Sequence, residues 1–394
     1  NYKNNYKNNY KNNYKNNYNN IIIQIWRINT TPNTNMNKQQ FLDNVKRSGL
    51  INEGNTCFLN TAIQCISNIG ELTRYIYSND FLTDLNRERK ESSITYEYSK
   101  LLKELINNNE SPTRAINFIN IFCRVNSDLD ISQKLMTRQQ SDIYEFLMYL
   151  IDIIHVSLQE EVDIEIKGKP KNDYEHLKIE SIKSWIISIK NEYSKVIDIL
   201  FGQYITETCD SDNGKLLNRN FSKFNSLSLE VYDKEEGFVA STLYDCFDYH
   251  CKVTELNGEN KYQIGNTDNY VDAKRKLYFW KLPKYLVICL KRFNFSRQGR
   301  KINSRIEFPI DDLDLSKYVF PGSKEKNKYK LISIANHLGS SLNGGHYYCV
   351  NRVGKDNWVL YNDESVHDIK YDDLEQLKSK IVTKNVFLLI YAKI

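Results

Sequence analysis

Gly49-Leu50-Ile51-Asn52-Glu53-Gly54-Asn55-Thr56-Cys57-Phe58-Leu59-Asn60-Thr61-Ala62-Ile63-Gln64 joins two kinds of sequence at one cysteine. Asn52 to Thr56 is a run of turn formers. From Phe58 onward Ala62, Ile66 and Ile69 recur at helical spacing, so a buried helix is expected over residues 57–70 with Cys57 in its first turn. A helix N-terminus carries partial positive charge and unpaired N–H groups, which favour thiolate over thiol. The stretch alone leaves two uses open for Cys57. It is a nucleophile, or it is a small side chain filling a core beside Phe58 and Leu59.

The chain has 394 residues, enough for one elaborated domain or for two or three. Hydrophobic residues make up 41% and charged residues 26%, a balance that excludes both a wholly disordered chain and a membrane bundle. The formal charge of +5 is unevenly placed. Residues 1–40 hold Lys3, Lys7, Lys11, Lys15, Arg27 and Lys38 and no acid, which is +6 and leaves −1 for the remainder. The part that folds therefore offers no electrostatic case for nucleic acid. The eight cysteines include no C-x-x-C pair, which fits reduced thiols rather than a disulfide scaffold. No apolar run reaches membrane-spanning length and no secretory leader is recognised, so a cytoplasmic or nuclear location is expected.

Residues 1–20 repeat Asn-Tyr-Lys-Asn four times and then break down, a low-complexity pattern with no apolar face. Residues 1–40 are expected to form a disordered tail and tether, with Phe41, Leu42 and Val45 near the start of the fold. A helix is expected over 93–107, with Tyr96, Leu101, Leu105 and Ile106 in the core. Pro112-Thr113-Arg114 opens another, carrying Ile116, Ile119 and Phe122. Ile143, Phe146, Leu147, Leu150, Ile151 and Ile154 define an amphipathic helix capped by Ser141 or Asp142. Residues 157–200 suit a helical hairpin with a loop at Lys167-Gly168-Lys169-Pro170. From Phe201 the texture changes to strand-like runs: 203–209, 221–231, 285–290, 329–336, 347–353, 358–362 and 386–391. Helices first and strands later indicate an α+β fold.

A second chemical stretch stands near the C-terminus, Asn336-His337-Leu338-Gly339-Ser340-Ser341-Leu342-Asn343-Gly344-Gly345-His346-Tyr347-Tyr348-Cys349-Val350. A glycine-rich loop runs into a strand that begins with His346, and Gly344 and Gly345 let another backbone approach closely. A histidine there is placed to act as a general base. Trp358-Val359-Leu360-Tyr361-Asn362-Asp363 ends a further strand, and either Asn362 or Asp363 could accept the imidazole N–H and fix its tautomer. Cysteine, histidine and Asn/Asp far apart in sequence follow the logic of a papain-like thiol hydrolase.

Four blocks carry a resemblance to the ubiquitin-specific proteases, the papain-like deubiquitinating cysteine peptidases: residues 49–64, 140–147, 282–293 and 336–366. Phe201-Gly202-Gln203 and Phe308-Pro309 fall in the matching order. The resemblance covers residues 47–394 and implies a helical thumb over 47–200 with a β-rich palm and fingers over 201–394. It implies Cys57 as nucleophile, His346 as general base and acid, Asn362 as the residue orienting it, and Asp363 as a possible third member. Asn52 is implied as oxyanion donor, and the chemistry supports it, since a side-chain amide on the turn before the nucleophile can reach a developing oxyanion. Asp142, Glu145, Gly344 and Gly345 are implied as contacts for the substrate tail. Ser141 and Tyr144 depart from the family pattern beside them. Where many relatives carry two C-x-x-C pairs for zinc, this chain keeps Cys209 alone and has Ile264-Gly265-Asn266-Thr267 at the second place. Fingers without zinc are expected, with no cofactor. An alternative metal set of Cys209, Cys246, His250 and Cys251 matches no known spacing. The resemblance implies a monomer acting on ubiquitin and ubiquitinated proteins, with neither nucleic acid nor membrane as partner. A non-catalytic ubiquitin-binding relative and a hydrolase for another ubiquitin-like modifier are the alternatives.

Overall fold

The helix that begins at Cys57, α1 (Cys57–Ile66), is buried along all of its length. One flank meets other helices and the other meets the largest sheet. It ends four residues earlier than the apolar spacing suggests, and a second short helix, Gly70–Tyr77, follows. This computed structural model describes residues 22–27, 45–108, 111–294, 300–323, 327–341 and 344–394. The repeat in residues 1–20 and the pair Phe41 and Leu42 lie outside the described residues.

Aromatic rings tie α1 to the helices that follow: α2 (Ser92–Asn107), α3 (Ile116–Val125) and α4 (Ile143–Ser157). Phe58 meets Phe146 edge-on at 5.7 Å, Phe146 meets Phe122 at 5.4 Å, and Phe118 joins Phe122 to Tyr98. Truncating one such core ring costs about 3–5 kcal/mol. Two expected core residues are exposed instead. The inward stripe of α2 is Ile94, Tyr98, Leu101 and Leu105, and Tyr96 lies two residues from Ile94, on the far side, where Lys100 covers its ring. Ile116 is the first residue of α3, a position ahead of the buried run that starts at Phe118. Asp142 is the N-cap of α4, its Oδ1 accepting from the Glu145 N–H at 2.9 Å.

Residues 157–200 hold more than a helical hairpin. Helices Asp173–Ile189 (α5) and Lys195–Leu200 are present, but a strand precedes them. Inside the expected tether, β1 (Ile22–Arg27) pairs antiparallel with β2 (Val162–Lys167), from Ile22 opposite Lys167 to Arg27 opposite Val162. The alternation Val162-Asp163-Ile164-Glu165-Ile166-Lys167 is the two-residue period of a strand, which the charge of the region obscures.

Strands dominate from residue 202. β3 (Gly202–Asp210) and β4 (Leu216–Phe224) form a hairpin, and β5 (Leu227–Glu230) leads to α6 (Leu243–His250), which Thr242 and Asp245 close with a capping box. β6 (Thr254–Leu256) and β7 (Ala273–Lys281) complete a four-stranded sheet in the order β4-β3-β7-β6. Tyr204, Phe224 and Phe279 stack on it, with Tyr204 and Phe224 4.3 Å apart.

The largest sheet contains β8 (Tyr285–Lys291), β9 (Lys328–Ser341), β10 (Gly344–Val353), β11 (Asn357–Asn362), β12 (Ser365–Asp368) and β13 (Val386–Lys393). Its order is β12-β11-β10-β9-β13-β8-β5, antiparallel throughout except at β8–β5, with the short strand Leu313–Asp314 beside β9. Both faces are covered. Val287, Cys289, Leu388 and Ile390 pack toward the helices, while Leu286, Ile288, Leu389 and Tyr391 pack into a second core. That explains why β8 and β13 read as unbroken apolar runs although they pair antiparallel with each other. Among the described residues no helix is long and apolar enough to cross a membrane.

Candidate active site

The turn before Cys57 is built by its own side chains. Asn52 Oδ1 accepts from the N–H groups of Gly54 at 3.0 Å and Thr56 at 3.1 Å, and Thr56 Oγ1 accepts from Glu53 N–H. Gly54 and Asn55 reverse the chain with φ of 108° and 54°. The run leading in is braced by Thr113, which exchanges backbone bonds with Gly49 and Ile51. Cys57 thus stands at the first position of α1, 2% exposed.

β10 brings the histidine. Its His346 Nε2–H donates to Asn362 Oδ1 at 2.5 Å, and the ring lies within the influence of the Cys57 sulfur. Those two interactions, the sulfur first, raise the His346 pKa to about 9 despite partial burial. An acceptor for the ring N–H favours the charged imidazolium.

The two candidates for the third position separate cleanly. Asn362 contacts His346. Asp363, at φ 49°, accepts instead from Asn52 Nδ2 at Oδ2 and from Asn60 Nδ2 at Oδ1, each at 2.8 Å. Among the described residues Asp363 makes no hydrogen bond to the imidazole and acts on it only through charge; its carboxylate holds the cysteine turn to the end of β11. The backbone agrees, since Leu50 N–H donates to Asp363 O at 2.9 Å, and a Cβ on Gly49 would sit 2.3 Å from Glu364 O.

The expected tail contacts surround this centre. Gly344 and Gly345 are exposed at the start of β10. Gly345 has φ 154°, and a Cβ there would meet Leu338 O at 2.2 Å and His337 Nε2 at 2.5 Å, so only glycine fits. Asp142 is committed to capping α4, and burial raises its pKa. Glu145 is part-buried on the first turn of the same helix.

Three further residues belong to the site. Asn60 is a polar side chain on the buried face of α1, one turn after Cys57, and that misfit in an apolar helix was its signal. Gln140 Nε2 donates to Cys57 Sγ at 3.5 Å and to Gly345 O at 2.8 Å; nothing local marks it, because both acceptors are distant in sequence. His337 lies fully buried below Gly345, its ring 4.6 Å from that of Tyr347, and neither ring nitrogen has a partner among the described residues. Burial lowers its pKa to about 4, helped by Lys301, so the ring is neutral.

At the expected zinc positions, Cys209 pairs with Lys274 across β3 and β7, and Ile264 accepts a turn bond from Thr267 N–H. His250 Nε2 bonds the Tyr204 hydroxyl and the Cys246 thiol donates to Thr242 O. Among the described residues no group of three or more His, Cys, Asp or Glu could hold a metal ion.

Comparison with known proteins places this scaffold among described families. Human ubiquitin carboxyl-terminal hydrolase 2 is 28% identical over 350 residues, 87% of this chain and 54% of its own length. Ubiquitin carboxyl-terminal hydrolase 16 of Arabidopsis thaliana is 30% identical over 351 residues, 88% of this chain and 30% of its own. Ubiquitin carboxyl-terminal hydrolase 8 of Saccharomyces cerevisiae is 26% identical over 364 residues, 87% of this chain and 70% of its own. The chain thus spans about half the length of the human relative. Among solved structures, the SAGA DUB module of Ubp8, Sgf11, Sus1 and Sgf73 bound to monoubiquitin aligns with a TM-score of 0.67 at 23% identity, over 93% of this chain and 72% of that one. The same module bound to ubiquitin aldehyde aligns with a TM-score of 0.65 over 90% and 70%. The α+β fold is shared with both. A family model described as ubiquitin carboxyl-terminal hydrolase matches residues 48–391, nearly the whole of the described fold, and the chain belongs to that family.

Proposed function

We propose that the chain is a thiol-dependent deubiquitinase that hydrolyses the peptide or isopeptide bond after the C-terminal glycine of ubiquitin. The observation that carries this is the grouping of Cys57, His346 and Asn362, with His346 bonded to Asn362 and the Cys57 sulfur acting on its ring. His346 stands beside the sulfur as the base that takes up its proton. The sulfur attacks the glycine carbonyl, and the carbon–oxygen double bond opens to an oxyanion. Asn52 Nδ2 gives one N–H to Asp363 and has a second to offer that oxygen. As the tetrahedral species collapses, the carbon–nitrogen bond breaks and His346 gives its proton to the departing lysine amine. The neutral imidazole then takes a proton from water, whose oxygen attacks the thioester and returns the sulfur as thiolate. Asn362 holds the ring in register through both steps.

The tail would run past Gly344 and Gly345, where side-chain-free backbone leaves a narrow passage. Glu145 and Asp142 offer negative charge to the basic residues before the terminal Gly-Gly. Ubiquitin and ubiquitinated proteins are the proposed partners of a chain working as a monomer, without nucleic acid or membrane. All eight cysteines are free thiols, which suits a reducing cytoplasmic or nuclear setting. Residues 47–200 act as thumb and 201–394 as palm and fingers, held by strand and ring packing without zinc, beyond the tail segment 1–40. Release of fluorophore from a ubiquitin C-terminal conjugate tests the reading, with conjugates of other Gly-Gly modifiers alongside. Turnover abolished by Cys57→Ala and selective for ubiquitin is expected; preference for another modifier, or binding without turnover, would overturn it.

A further inference from the structure

The side chain of Gln140 lies across the cleft between the cysteine helix and the histidine strand. Its one amide nitrogen serves two acceptors, the Cys57 sulfur at 3.5 Å and the Gly345 carbonyl at 2.8 Å, the latter 205 residues away in sequence. Only a primary amide of this length can do so, because Nε2 carries two N–H donors and stays neutral. The segment bearing it is fastened on both sides. Asn55 Nδ2 donates to Arg138 O at 2.8 Å, and Asp142 begins α4 with its cap. The main chain therefore delivers Gln140 to this place as part of the fold. Below it Cys57 is only 2% exposed, although an acyl group must reach the sulfur.

We propose that Gln140 is a latch across the tail channel: in the free protein its amide closes the gap between Cys57 and Gly345, and an incoming tail displaces it from Gly345 and takes its N–H on a main-chain carbonyl. An extended chain that puts its terminal carbonyl on the sulfur has to pass between these two groups. The exchange conserves hydrogen bonds. A tail N–H replaces Gln140 on Gly345 O, and the released Gln140 N–H serves a tail carbonyl, so neither group loses a protein or substrate partner. Opening then accompanies a substrate with a free main chain on both edges, and side chains beside the latch would obstruct it, which suits glycine. The identity of the tail rests on the deubiquitinase reading; the closed state does not.

Two measurements on the full chain test this. The first is alkylation of Cys57 by iodoacetamide, followed across pH to its limiting rate, with Cys57→Ala giving the background from other thiols; no ubiquitin is present. The second is steady-state hydrolysis of a ubiquitin C-terminal fluorogenic conjugate. Gln140→Ala is expected to raise the limiting alkylation rate several-fold and to lower kcat/KM about tenfold, mainly through KM, the loss of one hydrogen bond. Gln140→Asn keeps an amide but cannot span the gap, and should follow Q140A in both. A purely structural role would slow both reactions together. Alkylation unchanged or slowed in both variants overturns the latch, whatever hydrolysis shows. Faster alkylation with unchanged kcat/KM overturns the tail contact. Should the wild-type chain hydrolyse no ubiquitin conjugate, the functional reading falls, and alkylation alone still decides the latch.

Discussion

Asn52 and Asp363, 311 residues apart, are joined by a 2.8 Å hydrogen bond from the Asn52 amide to the Asp363 carboxylate. The same carboxylate takes the Asn60 amide. One acid at the end of β11 thereby sets the position of the group proposed to meet the oxyanion.

Removing the donor and removing its support should cost activity through the same interaction. Asn52→Ala is expected to lower kcat by about 10²–10³, as loss of an oxyanion donor does. Asp363→Ala should lower it less. The double variant should be no slower than Asn52→Ala alone, because the two act in series. Additive losses in kinetics on a ubiquitin conjugate would show that Asp363 acts elsewhere.

His346 should titrate near 9, because its partners favour the charged ring. Its folded value lies above the ordinary 6.5, so the contribution to stability is fully present below 6.5 and is lost as pH rises through about 9. The alkaline limb of kcat/KM is expected in the same range. Cys57→Ala removes the leading cause, so the His346 titration followed by NMR should fall back toward 6.5. Asn362→Ala should lower it by a smaller step and slow turnover.

Gly49 packs against the backbone of Glu364 so closely that a methyl group would overlap it. Gly49→Ala should push the cysteine turn away from the end of β11. The expected cost is about 1–3 kcal/mol in urea unfolding, the range for overpacking, with a loss of turnover larger than that destabilisation alone explains.

Two buried histidines should make the protein sensitive to acid. Burial lowers His155 and His337 to about 4 each. For His155 the bonds agree, since Nε2 accepts from Gln159 and Nδ1 donates to Ser194, a pattern only the neutral ring can make. A folded value below the unfolded 6.5 means that the unfolded chain binds more protons, so stability falls as pH drops from 6.5 toward 4. Each site is worth roughly 3 kcal/mol over that window. Denaturant melts of His155→Asn should show a shallower decline than the wild type.

The amphipathic helices were legible because one face of each is buried. Ile143 to Ile154 predicted α4 and its cap, and the stretch around Cys57 placed that cysteine at a helix start. Tyr96 was misplaced because an aromatic residue two positions from Ile94 counts as apolar in composition yet points outward. β2 was hidden by the charges that alternate along it. The residues themselves left Asn362 and Asp363 open, and only the resemblance favoured Asn362. Adjacent residues at a strand end point to different sides, and only the turn at Asp363, with its positive φ, decides which reaches the histidine. Gln140 was missed for a related reason, since its partner lies 205 residues away, whereas Asn60 carried a signal as a polar residue on an apolar helix face although its partner lies 303 residues away.

The central claim is that Cys57 attacks the C-terminal carbonyl of ubiquitin. Ubiquitin carrying an electrophile in place of that carboxylate tests it most directly, with the adduct weighed and mapped by mass spectrometry. One ubiquitin joined to Cys57, and none in Cys57→Ala, is the result this account predicts. A wild-type chain that forms no adduct, or one that maps to any of the other seven cysteines, would contradict it.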